Sequence, residues 1–211
     1  KAQGVKDISP LAGLPISGLS LYGTNITDIG ALKGAPIKYL NLSGLKLNDY
    51  SVLKGMPIDV LTLMGSSMKD LSVINKDTIR NLLITYSPVE DISPLKGAQI
   101  SKLWLSYTKV SDLGPLKGMP LRELLIDGIP AKDLSPIMGM ELETLVLTPS
   151  NFTPDQLRSL HDGMKSLKYI GTSHGEVGMN KQTAEEFWRK LVDGKIKGPT
   201  PPGDSRPPPH R

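Results

Sequence analysis

DISPLKGAQISKLWLSYTKVS, residues 91–111, carries the plan of the chain in 21 residues. Its centre, Leu103-Trp104-Leu105, alternates as a strand does, so the two leucines face one way and Trp104 the other. Its start, Asp91 to Gly97, reads as a tight turn: Ser93 stands where an N-cap would, Pro94 takes the first helical position and Gly97 ends the turn in a left-handed conformation.

Working outward, an Asp recurs at 7, 28, 49, 70, 91, 112 and 133, always 21 residues apart and with no insertion. Six positions in every unit are apolar, those of Ile8, Leu11, Ile16, Leu19, Leu21 and Ile26 and their equivalents, with Tyr50 alone adding a hydroxyl. One unit cannot bury such a face by itself, so stacked units must share a core. The L-x-L pairs (Leu40 and Leu42, Leu61 and Leu63) then become parallel strands, one per unit. In the fourth unit Lys76 fills the glycine slot, which predicts a local distortion.

The units resemble leucine-rich repeats of the short bacterial internalin-like kind, in which L-x-L-x-x-N-x-I-x-D-I-x-P-L recurs. The resemblance spans residues 7–153. It departs at the asparagine slot, here Thr24, Leu45, Ser66, Ser87, Thr108, Ile129 and Ser150, so hydroxyls should replace that ladder or it should be lost. Pieces such as DLGPLKGMP are also similar to bacterial repeat regions that follow protein-kinase-like domains. The resemblance implies an α/β solenoid, or horseshoe, with a parallel sheet on the concave face, short turns or 3₁₀ segments on the convex face and a C-terminal helical cap. It implies no catalytic residue.

The chain divides into an N-terminal remnant (1–6), seven repeats (7–153), a capping unit (154–180), an amphipathic helix (181–194) and a Pro-rich basic tail (195–211). In TAEEFWRKLVDG, Thr183 is the expected N-cap, and Phe187 and Trp188 are expected to seal the solenoid end. The tail has the composition of an extended linker or of a ligand for aromatic grooves such as Tyr86, Tyr107 and Trp104 would form. Six residues before the first repeat are too few for a cap, so Ile8, Leu11 and Leu19 are expected to lie open unless an upstream domain covers them.

Of the net charge of +4, +3 falls within residues 181–211, leaving a nearly neutral body without the field that tracks phosphates, which argues against nucleic-acid binding. No apolar run is long enough for a membrane span. The absence of cysteine removes disulfides and thiolate chemistry but leaves the compartment open. His161, His174 and His210 are not at ligand spacing, the Ser173-His174 pair has no orienting carboxylate, and the aligned aspartates sit beside turns whose N–H groups they can satisfy. No catalytic residue, metal or cofactor is expected.

The residue between the two leucines is Ser20, Asn41, Thr62, Leu83, Trp104, Leu125 and Val146 in successive units, polar three times and then apolar four times. At about 4.8 Å per strand the apolar four form a stripe roughly 14 Å across. Tyr86 and Tyr107 occupy the slot that Gly23, Gly44, Gly65 and Gly128 hold elsewhere, and Lys102, Glu123 and Asp127 rim the stripe. Leu83, Trp104, Leu125, Val146, Tyr86, Tyr107, Lys102, Glu123 and Asp127 are therefore the candidate partner-binding residues. The expected function is a protein interaction module binding on the concave face. The alternatives are a regulatory or targeting region of a larger kinase-like enzyme, or a surface adhesin or spacer.

Overall fold

A computed structural model describes residues 4–173, 175 and 182–192. Expectations placed on the tail 195–211, on His174 and on most of 174–181 lie outside the described residues.

Among the described residues eight short strands form one parallel sheet in sequential order: β1 (Gly18–Ser20), β2 (Tyr39–Asn41), β3 (Val60–Thr62), β4 (Asn81–Leu83), β5 (Lys102–Trp104), β6 (Glu123–Ile126), β7 (Thr144–Leu147) and β8 (Tyr169–Gly171). From β1 to β7 every residue pairs with the one 21 further on, as in Leu19↔Leu40 and Leu103↔Leu124, so equal spacing in sequence becomes in-register stacking. At each strand entrance one carbonyl takes two N–H groups of the next repeat. The Ser101 carbonyl, for example, accepts from Arg122 at 2.8 Å and from Glu123 at 3.0 Å. The period expected from the sequence is present in full, and the stretch Leu167 to Ile170 helps supply the eighth strand.

A three-residue 3₁₀ turn precedes each of the first seven strands, on the side away from the sheet. Its capping differs from the sequence expectation. Ser9, Ser93 and Ser135 are the first residues of their turns rather than the caps, and the prolines are second. The N-cap positions there are Ile8, Ile92 and Leu134, and the turn is held by the Asp just before them, whose Oδ1 accepts the N–H two residues on in all seven units, at 2.7 to 2.8 Å. Five serine hydroxyls donate to the second carboxylate oxygen. A carboxylate reaches two residues ahead and offers two acceptors, which a serine in the same place cannot do.

Repeat four carries the expected distortion. Lysine resists the left-handed conformation, and Lys76 does not adopt it. The 3₁₀ turn starts one residue early, at Leu71, with Asp70 itself as N-cap. The chain then closes a second turn on the Asn75 carbonyl, which accepts from Thr78 and Ile79.

The six apolar positions are buried almost throughout repeats two to seven. A seventh, just after the turn glycine, joins them: Ala35, Met56, Ala98, Met119 and Met140 are all buried. At the first repeat Ile8 is buried, contrary to expectation, while Leu11 and Leu19 are half-buried. In the asparagine slot the hydroxyls of Thr24 and Thr108 turn back to their own repeat, bonding the Leu21 and Leu105 carbonyls at 2.7 Å, so the ladder between repeats is lost there.

Among the described residues two α-helices follow the repeats. α1 (Pro154–Gly163) opens with a reciprocal cap between Thr153 and Gln156, and α2 (Ala184–Val192) with one between Thr183 and Glu186. The chain leading into α2 pairs with the outer edge of β8, through Tyr169↔Thr183 and the Ala184 N–H to the Lys168 carbonyl at 3.0 Å, which removes an open strand edge. Phe187 is fully buried, and Trp188 meets His161 edge-on at 5.1 Å. The fold is a leucine-rich-repeat solenoid, with 3₁₀ turns behind the sheet and a helical cap.

The aspartate caps give the molecule an acid limit. Hydrogen bonds from the backbone N–H and then the hydroxyl of Ser9, Ser51, Ser72 and Ser135 hold Asp7, Asp49, Asp70 and Asp133 below the ordinary carboxylate value. With the folded values depressed, unfolding takes up protons in acid. This stabilisation is complete above the unfolded value of about 3.9 and is lost as pH falls through the folded ones. Melting temperature should therefore hold from pH 7 to about 5 and drop below about 4. A variant with Asp49→Asn, Asp70→Asn and Asp133→Asn should show a shallower drop, and equal slopes for the two proteins would contradict the assignment.

Candidate partner-binding site

The outward side of the sheet consists of three rows per strand, and the central one contains Trp104. Its indole Nε1 donates to Glu123 Oε1 at 2.6 Å, across the β5–β6 step. The other oxygen of Glu123 pairs with Lys102 Nζ at 3.3 Å, and the same ammonium sits 5.7 Å from the centre of the indole ring. A half-buried tryptophan is thus fixed at its N–H and over its face by one ion pair. Such a pair between partly exposed groups adds little to stability, but it removes rotamer freedom from the ring before anything binds.

The adjoining loop row holds the two tyrosines. Tyr86 and Tyr107 have φ of 59° and 56°, the only non-glycine residues of positive φ among those described. The ladder explains why the conformation is imposed. The residue in this slot must donate its N–H to the next repeat, Tyr86 to Ser106 at 3.0 Å and Tyr107 to Asp127 at 2.9 Å, as Gly44 and Gly65 do to Met64 and Thr85. An L-residue there costs about 1–2 kcal/mol. The two rings stack at 4.8 Å and 11°, a contact worth about 0.5–1.5 kcal/mol beyond its buried area. For the two residues together the strain is about 2–4 kcal/mol, which offsets the stack and part of the rings' burial, so the pair adds little net stability. Burial comes first in pushing up both phenols; the Asp127 carboxylate adds to it for Tyr107, and Tyr107 followed by Asp127 for Tyr86.

The sequence expectation of an open stripe needs correction. Leu83 and Trp104 are half-buried, but Leu125 is 0% exposed and Val146 2%. Each lies in register beside another large side chain, Trp104 against Leu125 and Leu125 against Val146, and residues at that spacing shield one another. Asp127 is not on the rim either. It is fully buried and accepts a hydrogen bond from the Ser106 hydroxyl. The structure brings Trp104, Lys102 and Glu123 together, and Tyr86 with Tyr107; Leu125, Val146 and Asp127 form a closed floor on one side. The Trp104–Glu123 bond and the tyrosine stack were not foreseen, although their side chains one repeat apart on neighbouring strands were the available signal.

A second concavity of about 450 Å³ lies between the helices, walled by Phe152, Leu157, His161, Trp188 and Leu191. Among the described residues no three His, Asp or Glu side chains gather as metal ligands would, and no helix is long and apolar enough to cross a membrane.

Neither a protein-family model nor a curated protein matches the sequence. Solved structures do. An internalin, inlF, from Listeria monocytogenes shares 25% identity over 78% of this chain, with a TM-score of 0.67. This chain spans half the length of that one. Internalin C2 from the same organism shares 24% identity over 85% of this chain and 75% of its own, with a TM-score of 0.48. The likeness to inlF shows repeats similar to those of bacterial internalins, in a leucine-rich-repeat fold.

Gly128 tests the stack. A Cβ there would fall 2.6 Å from the Tyr107 ring, whereas one at Gly55, of equally positive φ, would meet nothing within 4 Å. Gly55→Ala should cost about 1 kcal/mol from its backbone alone. Gly128→Ala should cost at least about 1 kcal/mol more, because the stack must also shift. Equal losses in urea denaturation would show that Tyr107 is not held against Gly128.

Proposed function

We propose that this chain binds a protein partner on the concave face of the solenoid, through a site centred on Trp104, Tyr86 and Tyr107. One observation carries the reading: two adjacent repeats put tyrosine into a left-handed slot that glycine fills in four others, and the rings stack beside a tryptophan pinned by Glu123 and Lys102. Strained residues that return little stability are concentrated where a protein makes contact. Rigid aromatic side chains are the anchors that dominate such contacts, because they lose little entropy on binding.

Leu83 extends the apolar centre towards β4, and Lys102 with Glu123 gives it a polar edge that sets orientation. Leu125, Val146 and Asp127 support the anchors from the side rather than meeting the partner. The internalin likeness is consistent with protein recognition by the repeats, and the partner's identity does not carry over with it.

Trp104→Ala should weaken the partner by about 2 kcal/mol or more, roughly thirtyfold, with melting temperature little changed. The control is Lys54→Ala, on the turn side, which should leave binding intact. Quantitative affinity capture with wild type and both variants, followed by titration of any protein lost with Trp104→Ala alone, reads the result. Capture undiminished by Trp104→Ala, or a large fall in its melting temperature, would refute the site.

A further inference from the structure

The groove between α1 and α2 is unlike the rest of the cap. Its floor, Phe152 and Leu157, is buried, but its walls stay accessible: Trp188 and Leu191 are half-buried, His161 is exposed and Val192 is 87% exposed. A capping unit hides the apolar end of a solenoid. This one keeps an apolar concavity of about 450 Å³ open to solvent.

The charged side chains at the groove are already engaged. Arg158 pairs with Asp155, and His161 Nδ1 lies 2.9 Å from Asp162 Oδ1. Trp188 is held edge-on by Phe187 at 4.9 Å and by His161 at 5.1 Å. Its N–H is another matter. Whereas the Trp104 indole donates to Glu123, that of Trp188 has no acceptor among the described residues.

An apolar groove walled by a fixed tryptophan with a donor to spare suits a ligand that is apolar, extended and rich in acceptors. A proline-rich stretch has those properties. Its rings project from an extended helix, its carbonyls are not bonded within its own backbone, and its prolines bring no N–H that would need an acceptor in the groove. Such a stretch follows α2 directly. Residues 193–211 continue from Val192, itself a wall of the groove, and include PTPP at 199–202.

We infer that the stretch 199–202 of the same chain docks in this groove, its proline rings against Trp188 and Leu191 and one of its carbonyls accepting the Trp188 N–H. The reach suffices. Pro199 is seven residues past Val192, up to about 23 Å of chain, whereas the ten residues of α1 span about 15 Å, and Gly194 permits the reversal. Tethering gives the stretch an effective concentration of roughly millimolar, so weak contacts fill the site. An amphipathic helix in the same groove would spend its carbonyls on its own backbone and leave the indole N–H unanswered. The inference is independent of the protein-binding reading, which rests on the sheet face.

The test uses the full chain with Trp104→Phe, which leaves Trp188 as its one tryptophan. Adding Pro199→Ser, Pro201→Ser and Pro202→Ser together should shift the Trp188 emission to the red and raise its quenching by acrylamide about twofold. A peptide of residues 195–211 should bind this serine variant and restore the emission. The parent, whose groove is filled, should bind the peptide at least tenfold more weakly. Leu191→Gln in the serine variant should weaken the peptide at least fivefold. Emission unchanged by the three serines, or a peptide that binds parent and serine variant alike, would overturn the inference. So would parent emission that varies with protein concentration, because the groove would then hold the tail of a second copy.

Discussion

The rest of the structure depends on one constraint: a 21-residue unit cannot bury its own apolar face, and must find the neighbour's face at the same height. That requirement fixes the register. With Leu103 against Leu82 on one side and Leu124 on the other, a strand slipped by one residue would turn its L-x-L pair towards solvent. The aspartate cap serves the same end. By binding the turn N–H in each unit, it sets where the chain leaves the back of the solenoid and so where the next strand begins. Repeat four, which cannot place Lys76 left-handed, shows the tolerance of the arrangement. Its turn moves by one residue, a second turn absorbs the shift, and the strand returns to register.

Regularity behind the sheet leaves variation to its front. Inward positions are held to apolar side chains, most often leucine and isoleucine, by packing at near-crystalline density. Outward positions carry no such demand, and there the repeats diverge: hydroxyls and amides on β1 to β3, a pinned tryptophan on β5, a closed apolar ridge on β6 and β7. Among the described residues, the two left-handed tyrosines are where the front departs from what the backbone prefers.

Much of this was legible in the sequence, because the period is a one-dimensional signal. The spacing of Asp and of L-x-L located the strands, their parallel order and the distorted fourth repeat. It could not show that the carboxylate rather than the serine caps the turn, since both residue types favour that place and only the reach of two residues separates them. The buried seventh position was visible as the recurrence of Ala and Met after the glycine, but side chains of such different length gave a weaker pattern than leucine. Exposure on the outer face was the least legible. Alternation tells which side of a sheet a residue occupies, not whether Leu125 and Val146 are closed over by what stands beside them.

The account holds that Tyr86 and Tyr107 are kept for recognition and not for stability, and replacing both by glycine tests this most directly. The backbone at these slots is the one glycine adopts at Gly44, Gly65 and Gly128, so relief of strain should offset the lost stack and partial burial. Unfolding free energy in urea should then stay within about 1 kcal/mol of wild type while partner binding is lost. A loss of more than about 3 kcal/mol of stability, or binding that survives the double replacement, would contradict it.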